Sequence, residues 1–231
     1  MKILYYDCFS GISGDMNLGA LLDLGVSPDT LISGLQKLNT GGWRLEITRD
    51  QRHGITGTKV TVITDDDHDH DHDHDHGSGH EHSNSHENRN LSDIEEIITG
   101  SGLEAEVKEL AMKIFRKIAE AEAAVHDRPI DEIHFHEVGA IDSIIDIVGA
   151  AICLNDIGAD RVYVSEIELG SGMVKCQHGL LPVPAPATAR IISGFPVHTG
   201  GVGFEATTPT GAAIISAVAE PLPPSMNFII L

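Results

Sequence analysis

Apolar residues along this chain recur with two different periods. After Lys2 the run Ile3 to Tyr6 is continuously apolar, the pattern of a short buried strand. The segment DCFSGISGDMNLGALLDLG, from Asp7 to Gly25, reads as a glycine-bearing loop passing into a helix that Gly25 stops. Ser27 and Pro28 occupy the N-cap and first-turn positions of a second helix, with Leu31, Ile32, Leu35 and Leu38 as its apolar set. The runs WRLEITR and TGTKVTVI have strand character and flank a glycine-containing turn, so they predict a hairpin.

Periodicity disappears after Ile63 and returns beyond residue 90. Two capping-box patterns, Ser92 to Glu95 and Ser101 to Glu104, mark helix starts. The second predicts a long helix with Val107, Leu110, Ala111, Ile114, Ile118, Ala121 and Val125 on one face, and Glu109 and Lys113 as an i,i+4 pair. IIDIVGAAICLNDIG is apolar nearly all round, which predicts a helix buried inside the domain. RVYVSEIEL reads as one strand, LPVPAPATARIISG as a helix that begins after its prolines, and Thr208 with Pro209 as the start of a last helix ending near Glu220. Helices and strands mix without a regular βαβ repeat, so the expected class is α+β or an irregular α/β fold. The expected organisation is an N-terminal α/β part over 1–64, a disordered metal-binding loop over 65–90, and the remainder of the same domain over 91–231.

Charge changes this picture in one place. The 231 residues carry a formal net charge of −20, and seven Asp and two Glu between residues 65 and 87 supply nine of those charges without a Lys or Arg. The rest of the chain is therefore acidic too, which argues against a nucleic-acid partner and favours attraction of cations. Three cysteines, Cys8, Cys153 and Cys176, are widely spaced and give no disulfide framework, in keeping with a reducing compartment. The N-terminal apolar run is too short for a signal peptide, and no 18-residue apolar run occurs. The expectation is a cytoplasmic protein with no membrane partner.

The acidic tract also holds eight histidines: His68, His70, His72, His74, His76, His80, His82 and His86. Asp and His alternate from Asp67 to His76, so an extended chain would put the imidazoles on one side and the carboxylates on the other. Imidazole suits Ni, Cu, Zn and Co alike. A merely solvating linker would need only the Asp, so the tract is read as a metal collector without fixed geometry.

Four ordered stretches carry further chemistry. IHFHEVGAIDSIID brings together His134, His136, Glu137, Asp142 and Asp146, a His and carboxylate cluster suited to a divalent ion or to acid–base work. A carboxylate in so apolar a helix needs a partner, and a salt bridge would serve as well as a metal. In DCFSGISGD, residues Asp7, Ser10, Gly11, Ser13, Gly14 and Asp15 surround a strand-to-helix junction whose backbone N–H groups are candidates to hold a phosphate. Cys176 and His178, two apart, offer two metal ligands, which by themselves are not a site. EATTPTGAA is a helix start that capping alone explains.

The stretches YYDCFSGISGDM, IHFHEVGAIDSIIDIVG, GLLPVPAPAT and EATTPTGAA, in that order and with an acidic His-rich insertion between the first two, resemble the LarC family of nickel-insertion proteins. The resemblance covers residues 2 to about 225. It implies a cyclometallase that places nickel, as substrate, into pyridinium-3,5-bisthiocarboxylic acid mononucleotide to complete the nickel-pincer cofactor of lactate racemase, with CTP split to CMP and pyrophosphate. It also implies that CTP with Mn2+ or Mg2+ is bound by a C-terminal domain, and longer family members continue where this sequence stops. The implied partners are therefore the mononucleotide, the C-terminal part and the lactate racemase apoprotein. Insertion chemistry needs a base for the ring C–H proton and ligands that release nickel. His136 or Glu137 is expected as the base. Asp142, Asp146 and His134 are expected around the metal, and Cys176 with His178 as a relay. A nickel store without chemistry and a metal-dependent phosphohydrolase are the competing expectations.

Overall fold

The computed structural model describes residues 1–52, 54–64, 89–135 and 138–226. The chain runs β1 (Ile3–Tyr6), α1 (Gly14–Asp23), α2 (Pro28–Gln36), β2 (Trp43–Arg52) and β3 (Ile55–Thr64) before the tract. After it come α3 (Leu91–Thr99), α4 (Ala105–His126), a 3-10 turn (Ile130–Glu132) and α5 (Ile141–Ile157). The last third holds β4 (Arg161–Val164), β5 (Ile167–Glu168), β6 (Met173–Cys176), β7 (Gly179–Pro182), α6 (Pro186–Ile191), β8 (Val197–His198), α7 (Pro209–Val218) and β9 (Glu220–Pro221). This mixture of helices and small sheets is α+β, as the pattern predicts.

β1, β4 and β9 form a parallel sheet in the order β1-β4-β9, with Ile3 opposite Arg161 and Tyr163 opposite Glu220. Pro221 is tolerated there because β9 is an edge strand. β2 and β3 form the predicted antiparallel hairpin, from Trp43 opposite Thr64 to Arg52 opposite Ile55, and Gly54 at φ +85° turns the chain. β5 pairs with β8 in parallel, and β6 with β7 as a second hairpin.

α5 is the central helix. Ile144, Ile145, Ile147, Val148, Ala150, Ala151 and Cys153 are buried on it, which is why its sequence shows no polar face. α1, α2, α4, α7 and β3 all pack against it. One apolar core runs from Leu4 through α5 to Ala219, joining the segments before and after the tract. On α4 the predicted stripe is buried at Val107, Ala111, Ile114, Ile118 and Ala121, while Val125 is exposed near the helix end.

Both predicted capping boxes are displaced. α3 begins two residues earlier than Ser92 implies, because Asn90 takes the cap: its Oδ1 accepts from the Asp93 N–H at 3.0 Å while Asp93 Oδ2 accepts from the Asn90 N–H at 2.8 Å. Asn caps as well as Ser, and here the reciprocal bonds decide. Ser101 closes α3 instead of opening α4; its hydroxyl donates to the Ile98 carbonyl at 2.6 Å, and Glu104 caps α4 without a side-chain bond. Asn90→Ala should therefore lower stability by about 1 kcal/mol, measured by urea denaturation, whereas Ser92→Ala should change it little.

The predicted strand RVYVSEIEL is broken. Ser165 accepts the Cys8 N–H at 2.8 Å and donates to the Glu166 carbonyl at 2.7 Å, turning the chain so that β4 and β5 join different sheets. The last helix ends at Val218, two residues before Glu220, which instead begins β9.

Candidate functional site

The loop from Asp7 to Ser13 leaves β1 and is clamped against the segment that enters α7. Gly11, at φ +78°, lies so close to Ala206 that a Cβ there would stand 2.1 Å from the Ala206 carbonyl oxygen. Ile12 bridges Thr207, and the Thr208 N–H donates to the Ile12 carbonyl at 3.1 Å. Gly211 on α7 has the same intimacy, its Cβ position 2.1 Å from the Ile12 oxygen. The first turns of α1 and α7, capped by Ser13 and Thr208, are thereby held beside one another.

α5 brings the third component. Asp146 lies on the first residue of α1: a Cβ on Gly14 would stand 2.2 Å from Asp146 Oδ2. Burial, and after it the negative charges of Asp15 and Asp142, together raise the Asp146 carboxyl to about 8. Its Oδ1 is buried and accepts no hydrogen bond among the described residues. Asp15 is exposed on the first turn of α1, where it takes a hydrogen bond from the Ser13 hydroxyl, and Asp142 is exposed one turn before Asp146 on α5. The Asp146 carboxyl thus lies against the N-terminus of α1, within reach of the charges of Asp15 and Asp142. That end favours negative charge, but Asp15 and Asp142 already exceed what a half-charge offsets before Asp146 ionises, so the arrangement suits a cation more than a bare phosphate.

The remaining loop residues divide by exposure. Asp7 and Ser10 face solvent, Ser13 is half-buried, and Gly11 and Gly14 are buried because close contacts leave no room for a side chain. Cys8 is buried, and burial with the neighbouring Asp7 charge pushes its thiol up to about 12, so it is not a nucleophile at neutral pH. Phe9 and Phe204 are exposed, two residues before Gly11 and Ala206 respectively, so they flank the same junction.

His134 is exposed and bridges Asn90, while the Phe135 N–H donates to the Arg89 carbonyl at 2.9 Å and Arg89 Nη1 donates to the Gly139 carbonyl at 2.9 Å. The first described residues after the tract are therefore stitched to the chain on both sides of His136 and Glu137. Before the tract, β3 packs against both α1 and α5. His136 and Glu137 lie outside the described residues, as do His68, His70, His72, His74, His76, His80, His82 and His86.

Cys176 and His178 stand elsewhere. His178, in the β6–β7 turn, lies against His126 of α4 with ring centroids 4.9 Å apart, and Glu122 joins them. Cys176 is not part of that group. Glu122 and His126 were not singled out in the sequence, although their i,i+4 spacing at the end of α4 was a usable signal. Another buried carboxylate, Glu168, has a structural explanation: it accepts from the Gly170 N–H at 2.7 Å and the Gly201 N–H at 3.3 Å and lies 3.5 Å from His198.

Among the described residues no helix is long and apolar enough to cross a membrane. Residues 4–231 match the family described as nickel insertion protein. The chain is 51% identical over 246 aligned residues to the pyridinium-3,5-bisthiocarboxylic acid mononucleotide nickel insertion protein of Clostridium acetobutylicum, covering all of this chain and 59% of that protein. It is 50% identical to the proteins of the same name in Clostridium kluyveri, over 99% of this chain and 56% of the relative, and in Akkermansia muciniphila, over 96% and 53%. The chain thus spans just over half the length of these relatives. No solved structure matches it.

Proposed function

Because this chain belongs to the nickel insertion protein family, we propose that it is the metal-transferring part of an enzyme that inserts nickel into pyridinium-3,5-bisthiocarboxylic acid mononucleotide. The observation that carries the mechanism is Asp146, a carboxyl raised to about 8 and packed against Gly14 at the start of α1, where the charges of Asp15 and Asp142 act on it. A carboxyl with such a pKa is poised for proton transfer near neutral pH.

The proposed step exchanges a proton for a metal. Arrival of Ni2+ displaces the Asp146 proton and the carboxylate becomes a ligand, with the negative charges of Asp15 and Asp142 favouring the cation. As the pyridinium ring carbon forms its bond to nickel, the C–H bond breaks and its proton passes to the Asp146 carboxylate. Protonation weakens the protein's hold on the ion, so the same event that makes the Ni–C bond releases nickel to the product. Phe9 and Phe204, exposed beside the junction, offer aromatic faces to a cationic ring. Glu137 or His136 is the second candidate for the proton acceptor, and Glu137→Gln set beside Asp146→Asn tells them apart.

The tract between β3 and Arg89 is assigned the collection of nickel, with β3 packed on α1 and α5 at one end and Arg89 bonded to Phe135 and Gly139 at the other. CTP with Mn2+ or Mg2+ is assigned to the length of the relatives beyond this chain, lactate racemase apoprotein to the final acceptor of the cofactor, and the cytoplasm to its place of action. The organisation proposed is a single ordered domain, 1–64 with 91–231, interrupted by the tract at 65–90.

The test measures nickel insertion into the purified mononucleotide, with CTP and the separately expressed remainder supplied. The chain is compared with a variant whose eight tract histidines are asparagine. The expected result is equal insertion at saturating nickel and a loss of about tenfold when nickel is scarce. Loss at every nickel level would make the tract the transfer site and remove the reason for assigning chemistry to Asp146. Wild-type chain that binds nickel but never supports insertion would favour storage, and turnover of phosphate esters by this chain alone would favour a hydrolase.

A further inference from the structure

A separate group of metal-ligating side chains lies between the end of α4 and the β6–β7 turn. Glu122 and His126 are one helical turn apart, with His126 Nε2 at 3.3 Å from Glu122 Oε2, and their side chains are 19% and 30% exposed. His178 reaches them from the hairpin, its ring inclined at 46° to that of His126. One ligand atom from each of the three lies within 4.8 Å of the other two. Around an ion with bonds of about 2.0–2.1 Å, tetrahedral ligand atoms stand roughly 3.4 Å apart. Closing the trio onto an ion therefore needs the ligand atoms to draw together by no more than about 1.4 Å.

Two of the three ligands sit on a firmly packed helix. α4 is a 22-residue helix packed against α5, α6 and α7, so Glu122 and His126 keep their spacing. The turn carrying His178 is short, with Cys176 paired to Gly179, and Gly179 at φ +94° reverses the chain. A helix-end ion pair would require only one imidazole. A second imidazole converging on the same carboxylate completes a two-histidine, one-glutamate set, which binds divalent transition ions while leaving a coordination position open.

We propose that Glu122, His126 and His178 form an ordered site for one divalent transition ion, separate from the tract and from the Asp146 cluster. The proposal rests on the nickel reading above only for the identity of the ion. An open position lets an incoming ligand take the metal, so the site serves as a fixed intermediate station: nickel captured elsewhere is held here in defined geometry before transfer.

Equilibrium dialysis of the full chain against Ni2+, with Zn2+ in parallel, tests this. The variant with all eight tract histidines changed to asparagine, and with Asp146→Asn added so that only this site is left, should retain one tightly held ion per chain. Adding His178→Asn or His126→Gln to it should weaken binding at least about 100-fold, and Glu122→Gln about tenfold. His178 lies in an exposed turn, so His178→Asn leaves the core untouched, and circular dichroism checks the fold of each variant. An unsubstituted chain that binds several ions beside a tract variant that binds none would overturn the site and leave the nickel reading standing. If neither binds nickel, both fall. One ion retained regardless of His126 and His178 would also overturn the proposal.

Discussion

Asp146→Asn is expected to cut nickel insertion by at least about 100-fold, while making the folded chain more stable at pH 8. Asparagine keeps the shape and the hydrogen-bond donor of the protonated acid but neither accepts the ring proton nor binds the ion as a carboxylate. Stability moves the other way because the native environment disfavours the charge. The folded pKa, about 8, lies above the ordinary 3.8. Below the ordinary value both folded and unfolded chains hold the proton and Asp146 adds no pH dependence. Between the two values the unfolded chain has lost the proton and the native chain retains it. The stability of the wild-type protein from this group therefore falls as pH rises, by up to about 1.4 kcal/mol per unit, and levels off above the folded value.

The advantage of Asp146→Asn should accordingly be near zero at pH 4 and reach on the order of 3–5 kcal/mol by pH 8. Urea denaturation of both proteins at several pH values, without metal, measures it. Divalent ion should reverse the difference, since only the aspartate gains from binding it. Equal stabilities across the pH range would mean that Asp146 is ionised and solvated, and the proton-for-metal exchange would lose its basis. Full insertion activity in the variant would remove Asp146 from the chemistry outright.

Gly11→Ala should be the most damaging single methyl in the loop. At φ +78° an alanine costs about 1 kcal/mol or more in backbone strain alone. The added Cβ would also stand 2.1 Å from a backbone oxygen and 2.7 Å from the Ala206 Cβ, and backbone cannot swing aside as a flexible side chain can. Relief requires the loop to part from the segment entering α7, breaking the Ile12–Thr207 bridge and the Thr208 to Ile12 hydrogen bond. The expected loss is at least about 3 kcal/mol, with insertion lost even where the variant remains folded, because α1 and its Asp15 shift from Asp146. Gly54→Ala separates the two contributions: Gly54 has φ +85° but nothing within 4 Å of its Cβ position, so only the strain remains, about 1 kcal/mol. Equal losses from both substitutions would show that the close approach of Gly11 is not tight in solution.

Much of the architecture was legible because its causes are local. Ser27 with Pro28 and Thr208 with Pro209 cap helices that begin where those residues place them. The all-apolar run around Val148 is a buried helix, and the two strand-like runs on either side of Gly54 are a hairpin. Local rules failed where two local signals competed. Asn90 and Ser92 both suit an N-cap, and only the reciprocal bonds to Asp93 select the former. RVYVSEIEL has strand propensity throughout, but the contact of Ser165 with Cys8, far away in sequence, divides it.

By itself, then, the amino-acid order determined the helices, the main hairpin, the acidic histidine tract, the family resemblance and the residue types fit for metal chemistry, since each is written in neighbours a few positions apart. Only the tertiary structure decided which of those residues meet. Asp15 and Asp146, 131 positions apart, come within reach of each other's charge because Gly14 admits the α5 carboxylate against α1, and His178 finds Glu122 and His126 rather than a site with Cys176 alone. Such meetings, and the shift of the Asp146 carboxyl that follows from them, depend on close packing and on water being excluded between distant segments. Neither leaves a periodic trace in the chain.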